Sequence, residues 1–112
     1  MCNMLIKKLI VTTMFVSIFS VASVQAAGDV ANGKKLAEED CEDCHGDDGL
    51  GDEDNPPIAG MDPKEHIQEL MDYKSGKRVD ENEDMEAEDM SEQDMADVAA
   101  YYATLPGPPP KK

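Results

Sequence analysis

The chain of 112 residues has no tryptophan and only five phenylalanine and tyrosine residues, so aromatic residues make up 4% of it. Both phenylalanines lie among the first 20 residues, which leaves Tyr73, Tyr101 and Tyr102 for the core of the remaining chain. A domain of this size buries too little apolar surface to be comfortably stable by itself. The shortage of rings therefore predicts a core that takes part of its bulk from a large apolar cofactor.

Basic residues are also scarce, with 10 Lys and Arg against 25 Asp and Glu and a formal charge of -15. Such a surface repels polyanions, so it excludes nucleic acid and anionic membranes as partners. It favours a partner with a basic surface, or it serves solubility at high salt. Composition does not separate these two interpretations.

The one long apolar run, residues 9–24, follows Lys7 and Lys8 and ends in a small-x-small pattern at Ala26. This pattern predicts a signal peptide over residues 1–26, with cleavage after Ala26 or Ala27 and export to the periplasm. An uncleaved anchor is the alternative, but the run is short for a membrane span. The leader holds two lysines and no acid, so residues 27–112 carry 8 basic and 25 acidic residues, a formal charge of -17.

Cysteine and histidine are few, and three of the five lie together as Cys41-x-x-Cys44-His45. Two thiols one helical turn apart can add to the two vinyl groups of a haem while the adjacent imidazole binds the iron. The spacing predicts one covalent c-type haem held by these residues. Export agrees with it, because such haem is attached outside the cytoplasm.

Other uses of the two cysteines fit less well. A zinc site needs two further ligands, and only Cys2 and His66 remain. Cys2 precedes the apolar run and leaves with the leader. A thioredoxin-like site needs a strand-rich context that the sequence lacks, and a disulfide within one helical turn would be strained.

Three helices are predicted from their start and stop signals. Asp29 caps the first, whose apolar stripe consists of Val30, Gly33, Leu36 and Ala37. Gly33 in mid-helix suggests a close helix crossing. Because no segment shows strand alternation, the fold class is all-α.

The second predicted helix begins at Asp62-Pro63 and stops at Gly76, with one face formed by Ile67, Leu70, Met71 and Lys74. His66 lies inside this helix. It could be a second axial ligand, but a lone histidine in a helix more often lies at the surface or packs at the haem edge.

The third predicted helix begins at Ser91 and ends before Pro106, with a buried face formed by Met95, Val98, Ala99 and Tyr102. Met95 is therefore expected in the core rather than as a ligand. The predicted domain covers residues 27–105. Residues 106–112 form a Pro- and Lys-rich tail that is extended or disordered.

Two irregular segments separate these helices. Residues 46–55 are rich in Gly and Asp, and we interpret them as a solvated loop because the spacing of a calcium loop is absent. Pro56 begins a stiff turn whose carbonyl can accept the N–H of His45. Met85 stands alone within the acidic run 80–89, either as a harmless surface residue or as a thioether ligand.

Five short segments occur in a fixed order along the chain after the leader. They are Gly33-x-x-Leu36, Cys41-x-x-Cys44-His45-Gly46, Pro56-x-Ile58-Ala59-Gly60, Leu70-x-x-Tyr73-Lys74-x-Gly76-x-Arg78 and Ala99-Ala100-Tyr101-Tyr102-Ala103. In this order they resemble small class I cytochromes c of the bacterial periplasm. The chain is similar to mono-haem members, to single domains of tandem di-haem cytochromes and to the haem subunit of flavocytochrome c sulfide dehydrogenase.

The resemblance implies three to four helices around one covalent haem, with the first and last helices crossing near Gly33 and Tyr101. It also implies a hydrogen bond from His45 to the Pro56 carbonyl. A methionine would be the distal iron ligand, which selects Met85, with Met90 as the runner-up.

These features predict a soluble periplasmic one-electron carrier, a monomer that makes brief contacts with redox proteins through their basic docking surfaces. One alternative is a haem subunit that accepts electrons from a flavin-linked or other dehydrogenase. Another is a five-coordinate gas-binding or sensor haem. Catalysis by the chain itself is not expected, because its carboxylates lie in solvated runs without a nucleophile–base pair.

Overall fold

The computed structural model describes residues 28–80, 85 and 87–111. Within these residues lie four helices and no strand: α1 (Val30–Asp40), α2 (Glu42–His45), α3 (Pro63–Lys74) and α4 (Glu92–Thr104). The all-α fold class is confirmed. The predicted leader, residues 1–26, lies outside the described residues.

Helix α1 starts where its capping signal predicts. The Asp29 carboxylate accepts hydrogen bonds from the backbone N–H groups of Ala31 at 2.9 Å and Asn32 at 3.1 Å. Gly33 and Ala37 are buried. Val30 is 43% exposed, so the apolar stripe is shorter than predicted and begins at Gly33.

Helices α1 and α4 approach each other closely at Gly33. A Cβ atom placed there would lie 1.9 Å from the Asp97 carbonyl oxygen and 3.0 Å from the Cβ of Tyr101. At Gly28, just before the helix, a Cβ would lie 2.0 Å from the Ala96 carbonyl oxygen. Only glycine permits this approach, and the crossing implied by the family resemblance is present.

A buried carboxylate, Asp97 of α4, fastens the same crossing. It accepts hydrogen bonds from the Asp29 N–H at 2.7 Å, the Asn32 amide at 2.7 Å and the Gln93 amide at 2.8 Å. Burial raises the pKa of Asp97, but these three hydrogen bonds outweigh it and hold the pKa below its ordinary value. The sequence analysis did not identify this contact.

Helix α3 packs on α4 with a face that differs from the predicted one. Its N-terminus is capped by Asp62, and Gly76 follows its end with a φ of +75°. Leu70 is buried as predicted, but Met71 is 40% exposed and His66 is buried instead. The face is rotated because the His66 ring packs against Tyr102 of α4, with ring centroids 5.7 Å apart.

Helix α4 contributes more residues to the core than any other helix of the described chain. Ser91 and Asp94 form a reciprocal capping box at its start, and it ends at Thr104, before Pro106, as predicted. The buried apolar side chains that contact one another are Ala37, Ile58, Leu70, Ala87, Met95, Val98, Tyr101 and Tyr102. Half of this cluster therefore belongs to one helix, and residues 106–111 beyond it contain no helix.

We expect Gly33→Ala to lower the free energy of unfolding by about 3 kcal/mol, because the added methyl group forces the two backbones apart. Gly76→Ala is the matched control. No atom of the described residues lies within 4 Å of a Cβ at that position, so only its positive φ costs energy, about 1 kcal/mol. Urea unfolding of the haem-loaded proteins measures both. Equal losses would contradict the close crossing.

Candidate functional site

Cys41, Cys44 and His45 lie on one helical turn at the junction of α1 and α2. The backbone N–H groups of Cys44 and His45 both donate to the Cys41 carbonyl, at 3.3 and 3.0 Å. Cys41 and Cys44 are free thiols, the first half-buried and the second exposed. The turn thus brings two thiols and one imidazole together, as their spacing predicts.

The Cys41 thiol lies at the edge of the core, beside the hydroxyl group of Tyr102. Burial, followed by the nearby Asp40 carboxylate, raises the pKa of Cys41 to about 11. The side chain is therefore a neutral thiol at neutral pH. The Cys41 thiol and the Tyr102 hydroxyl do not form a hydrogen bond. The hydroxyl group is buried and has no hydrogen-bond partner in the described part of the chain.

The His45 imidazole is oriented by a single backbone group. Its Nδ1 lies 2.8 Å from the Pro56 carbonyl oxygen. Because a carbonyl oxygen only accepts hydrogen bonds, Nδ1 is the donor, and the lone pair of the neutral ring is on Nε2. An imidazole held in this way can bind a metal ion through Nε2.

The loop between α2 and α3 brings Pro56 to His45. The N–H of Gly51 donates to the His45 carbonyl at 2.7 Å, which holds the start of the loop against α2. Ile58 and Ala59 both donate to the Gly49 carbonyl, at 2.8 and 2.9 Å. These bonds fold the two ends of the loop together and leave Pro56 facing the imidazole.

Three methionines, Met61, Met85 and Met90, are half-buried and pack against the same core as Cys41. Met95 is fully buried, in agreement with its predicted place in the core. Met85 also lines a cavity of about 230 Å³ together with Tyr73.

The other two methionines are each tied to a fixed segment. The carbonyl of Met90 accepts a hydrogen bond from the Lys74 ammonium group. Met61 follows Gly60, whose N–H donates to the Tyr102 carbonyl at 2.9 Å. Met61 was not predicted from the sequence to contribute a thioether at this core. Its position directly after the stiff turn 56–60 was a signal that could have suggested it.

His66 is only 4% exposed, which excludes the surface position that the sequence left open. Its Nδ1 atom has no hydrogen-bond partner among the residues that the structure describes. Burial lowers the pKa of His66 from 6.5 to about 4, against a smaller opposing effect of Glu69. The ring is therefore neutral at physiological pH, and it packs on Tyr102.

This set of side chains fits a covalent haem. Two free thiols can form thioether bonds, one imidazole has its Nε2 free of the Pro56 hydrogen bond, and half-buried thioethers are available for a further ligand. The small core also has an apolar edge, including Leu36 and Tyr73, which a flat hydrophobic group can cover.

Comparison with known proteins gives the family. The family model for cytochrome c matches residues 30–106. The chain belongs to the cytochrome c family. Membership establishes a covalently bound c-type haem as its cofactor.

Among similar proteins, cytochrome c4 of Pseudomonas aeruginosa is 39% identical over 80 residues, covering 70% of this chain and 39% of that protein. Cytochrome c4 of Thiocapsa roseopersicina is 35% identical over 94 residues, covering 79% and 46%. Cytochrome c-554(547) of Halothiobacillus neapolitanus is 33% identical over 90 residues, covering 70% and 99%. The chain thus spans less than half the length of these two cytochromes c4 and nearly all of cytochrome c-554(547).

The described residues include no helix that is both long and apolar enough to cross a membrane.

We expect the stability of this cytochrome to depend on the protonation of His66. Below pH 6.5 the unfolded chain takes up a proton there, whereas the folded chain resists until about pH 4. The stabilisation is complete above pH 6.5 and is lost as the pH falls. From about pH 7.5 to about pH 5 the loss is about 2 kcal/mol.

His66→Phe retains the ring contact with Tyr102 but cannot titrate. Denaturant unfolding of the two proteins at both pH values measures the difference, since they share all their carboxylates. If both lose stability equally on acidification, His66 does not contribute.

Proposed function

We propose that the chain is a soluble one-electron carrier of the periplasm, exported by a leader at residues 1–26. In this proposal Cys41 and Cys44 attach the haem and His45 binds its iron. The hydrogen bond from His45 Nδ1 to the Pro56 carbonyl is the observation that carries the proposal. It holds the imidazole in the tautomer that an iron ligand needs.

The bound haem supplies an iron that exchanges one electron between its ferric and ferrous states. The chain supplies the conditions for that exchange. Cys41 would anchor the cofactor beside the buried core, and the Pro56 carbonyl would hold the His45 imidazole in one orientation. A ligand that does not move makes electron transfer fast, because little structure has to rearrange.

We propose that Met85 would be the second protein ligand of the haem iron, with Met90 as the runner-up. Met90 immediately precedes the Ser91 cap, and both its N–H and its carbonyl are engaged, by Ala87 and Lys74 respectively. Its backbone is thereby held in the approach to α4. Met85 is half-buried at the edge of the core and lines the cavity of about 230 Å³.

We expect Met85→Leu to abolish the weak far-red absorption band that methionine-ligated ferric haem gives, since leucine offers no sulfur. Met90→Leu and Met61→Leu are the matched controls, as both replace half-buried thioethers at the same core. The reduced Met85→Leu protein should bind carbon monoxide at neutral pH, and the controls should not.

Loss of the band in Met90→Leu alone would transfer the role to Met90. A wild-type protein that lacks the band and binds carbon monoxide would contradict the carrier proposal and favour a sensor haem.

The acidic surface supports transient docking to a basic redox partner. Several cations are already neutralised by neighbouring acids, including Lys34 with Glu38 at 3.4 Å and Arg78 with Glu69 at 3.1 Å. The formal charge of -17 on residues 27–112 already counts these cations, so a large excess of acidic groups remains to interact with a partner. Such a field speeds the encounter with a positively charged patch.

We expect the association rate with a redox protein of basic docking surface to fall about tenfold or more as salt rises from about 0.01 M to about 0.15 M. Stopped-flow electron transfer under pseudo-first-order conditions measures the rate. A redox protein with an acidic docking surface is the control, and its rate should rise with salt. Insensitivity to salt with the basic partner would refute electrostatic docking.

A further inference from the structure

We propose that Asp52 is a positioning residue for His45. Its carboxylate fixes the turn that holds the Pro56 carbonyl against the imidazole. This inference rests on the proposed function, in which His45 binds the haem iron.

One oxygen of Asp52 organises the whole turn. Oδ1 accepts hydrogen bonds from the N–H of Asp54 at 2.9 Å, the N–H of Asn55 at 2.8 Å and the side-chain amide of Asn55 at 3.0 Å. In the other direction, the N–H of Asp52 donates to the Asn55 carbonyl at 2.9 Å. Asp52 and Asn55 are thus joined through both backbone and side chains.

Both ends of this turn are connected to His45 by hydrogen bonds. At one end, Gly51 donates to the His45 carbonyl at 2.7 Å. At the other end, Asn55 is followed directly by Pro56, whose carbonyl accepts from His45 Nδ1 at 2.8 Å. Residues 51–56 therefore form a loop whose two ends are both hydrogen-bonded to His45. The hydrogen bonds of Asp52 lie between these two ends.

Gly51 shows how closely the two sides of this loop approach each other. Its φ is +66°, and a Cβ there would lie 2.1 Å from the Asn55 carbonyl oxygen and 2.9 Å from the Pro56 carbonyl oxygen. A side chain at this position would therefore collide with the Pro56 carbonyl that accepts the hydrogen bond of the imidazole. Because the turn is packed so closely against Pro56, a displacement of the turn also moves the Pro56 carbonyl.

Core packing does not explain Asp52, because its side chain is exposed. Asp48 in the same loop accepts a hydrogen bond from the Leu50 N–H at 3.0 Å, a simple local turn. The hydrogen bonds from Asn55 and Asp54 lower the pKa of Asp52, with a smaller contribution from His45. The Asp52 side chain, which holds this loop together, is thus an ionised carboxylate near the imidazole.

Two effects on the iron are separable by substitution. A firm hydrogen bond from Nδ1 makes the imidazole a better electron donor and favours ferric iron, so loosening it raises the reduction potential. Removing a negative charge also raises the potential, but salt screens that effect at an exposed site. Asp52→Asn removes the charge and keeps an acceptor oxygen, whereas Asp52→Ala removes both.

The test uses haem-loaded wild-type protein, Asp52→Asn, Asp52→Ala and, as the charge control, Asp54→Asn. Reduction potentials are measured at low and high salt, and exchange of the His45 Nδ1 proton is followed by NMR. We expect Asp52→Ala to raise the potential at both salt concentrations and to speed proton exchange about tenfold, as loss of one hydrogen bond would. In Asp52→Asn and Asp54→Asn the reduction potential should rise only at low salt. The His45 Nδ1 proton of both variants should exchange at close to the wild-type rate.

The inference is overturned if Asp52→Ala matches Asp54→Asn at high salt and its Nδ1 proton exchanges at the wild-type rate. A wild-type protein with no iron-shifted His45 Nδ1 proton would overturn the proposed ligand as well. The two failures are distinct, because the first appears only in the variant and the second already in the wild type.

Discussion

The hydrogen bond between His45 Nδ1 and the Pro56 carbonyl joins the two halves of the site. Helix α2 supplies the imidazole, and the loop that follows supplies the acceptor, 2.8 Å away. Proline suits this position because its ring restricts the backbone and brings no N–H that would need a partner of its own. With Nδ1 engaged, Nε2 is the nitrogen that can bind a metal, and in the proposed function it binds the haem iron.

The helices serve this contact by fixing where α2 begins. Gly33 lets α1 lie directly on α4, and the buried Asp97 carboxylate fastens the start of α1 to the same helix. Cys41, at the end of α1, is thereby placed beside Tyr102 in the core. The remaining core is small, which agrees with a domain that a covalently attached apolar group completes.

What could be read from the sequence was local. Asp29, Asp62 and Ser91 mark helix starts because a cap binds N–H groups only two or three residues away, and all three are confirmed. The turn from Cys41 to His45 is equally short. The burial of His66 and Asp97 depends on partners in distant helices, which helical periodicity does not reveal. Residues 81–84 and 86 around Met85 lie outside the described part, so its role stays a prediction.

The most direct test of the account is to locate the haem on the chain. Protein exported by cells with the haem-attachment machinery would be digested, and the peptides would be analysed by mass spectrometry after thiol alkylation. The account predicts that the peptide spanning residues 41–45 carries one haem and that neither cysteine in it reacts with the alkylating reagent. Haem that acidic solvent extracts, together with two alkylated cysteines in that peptide, would contradict it.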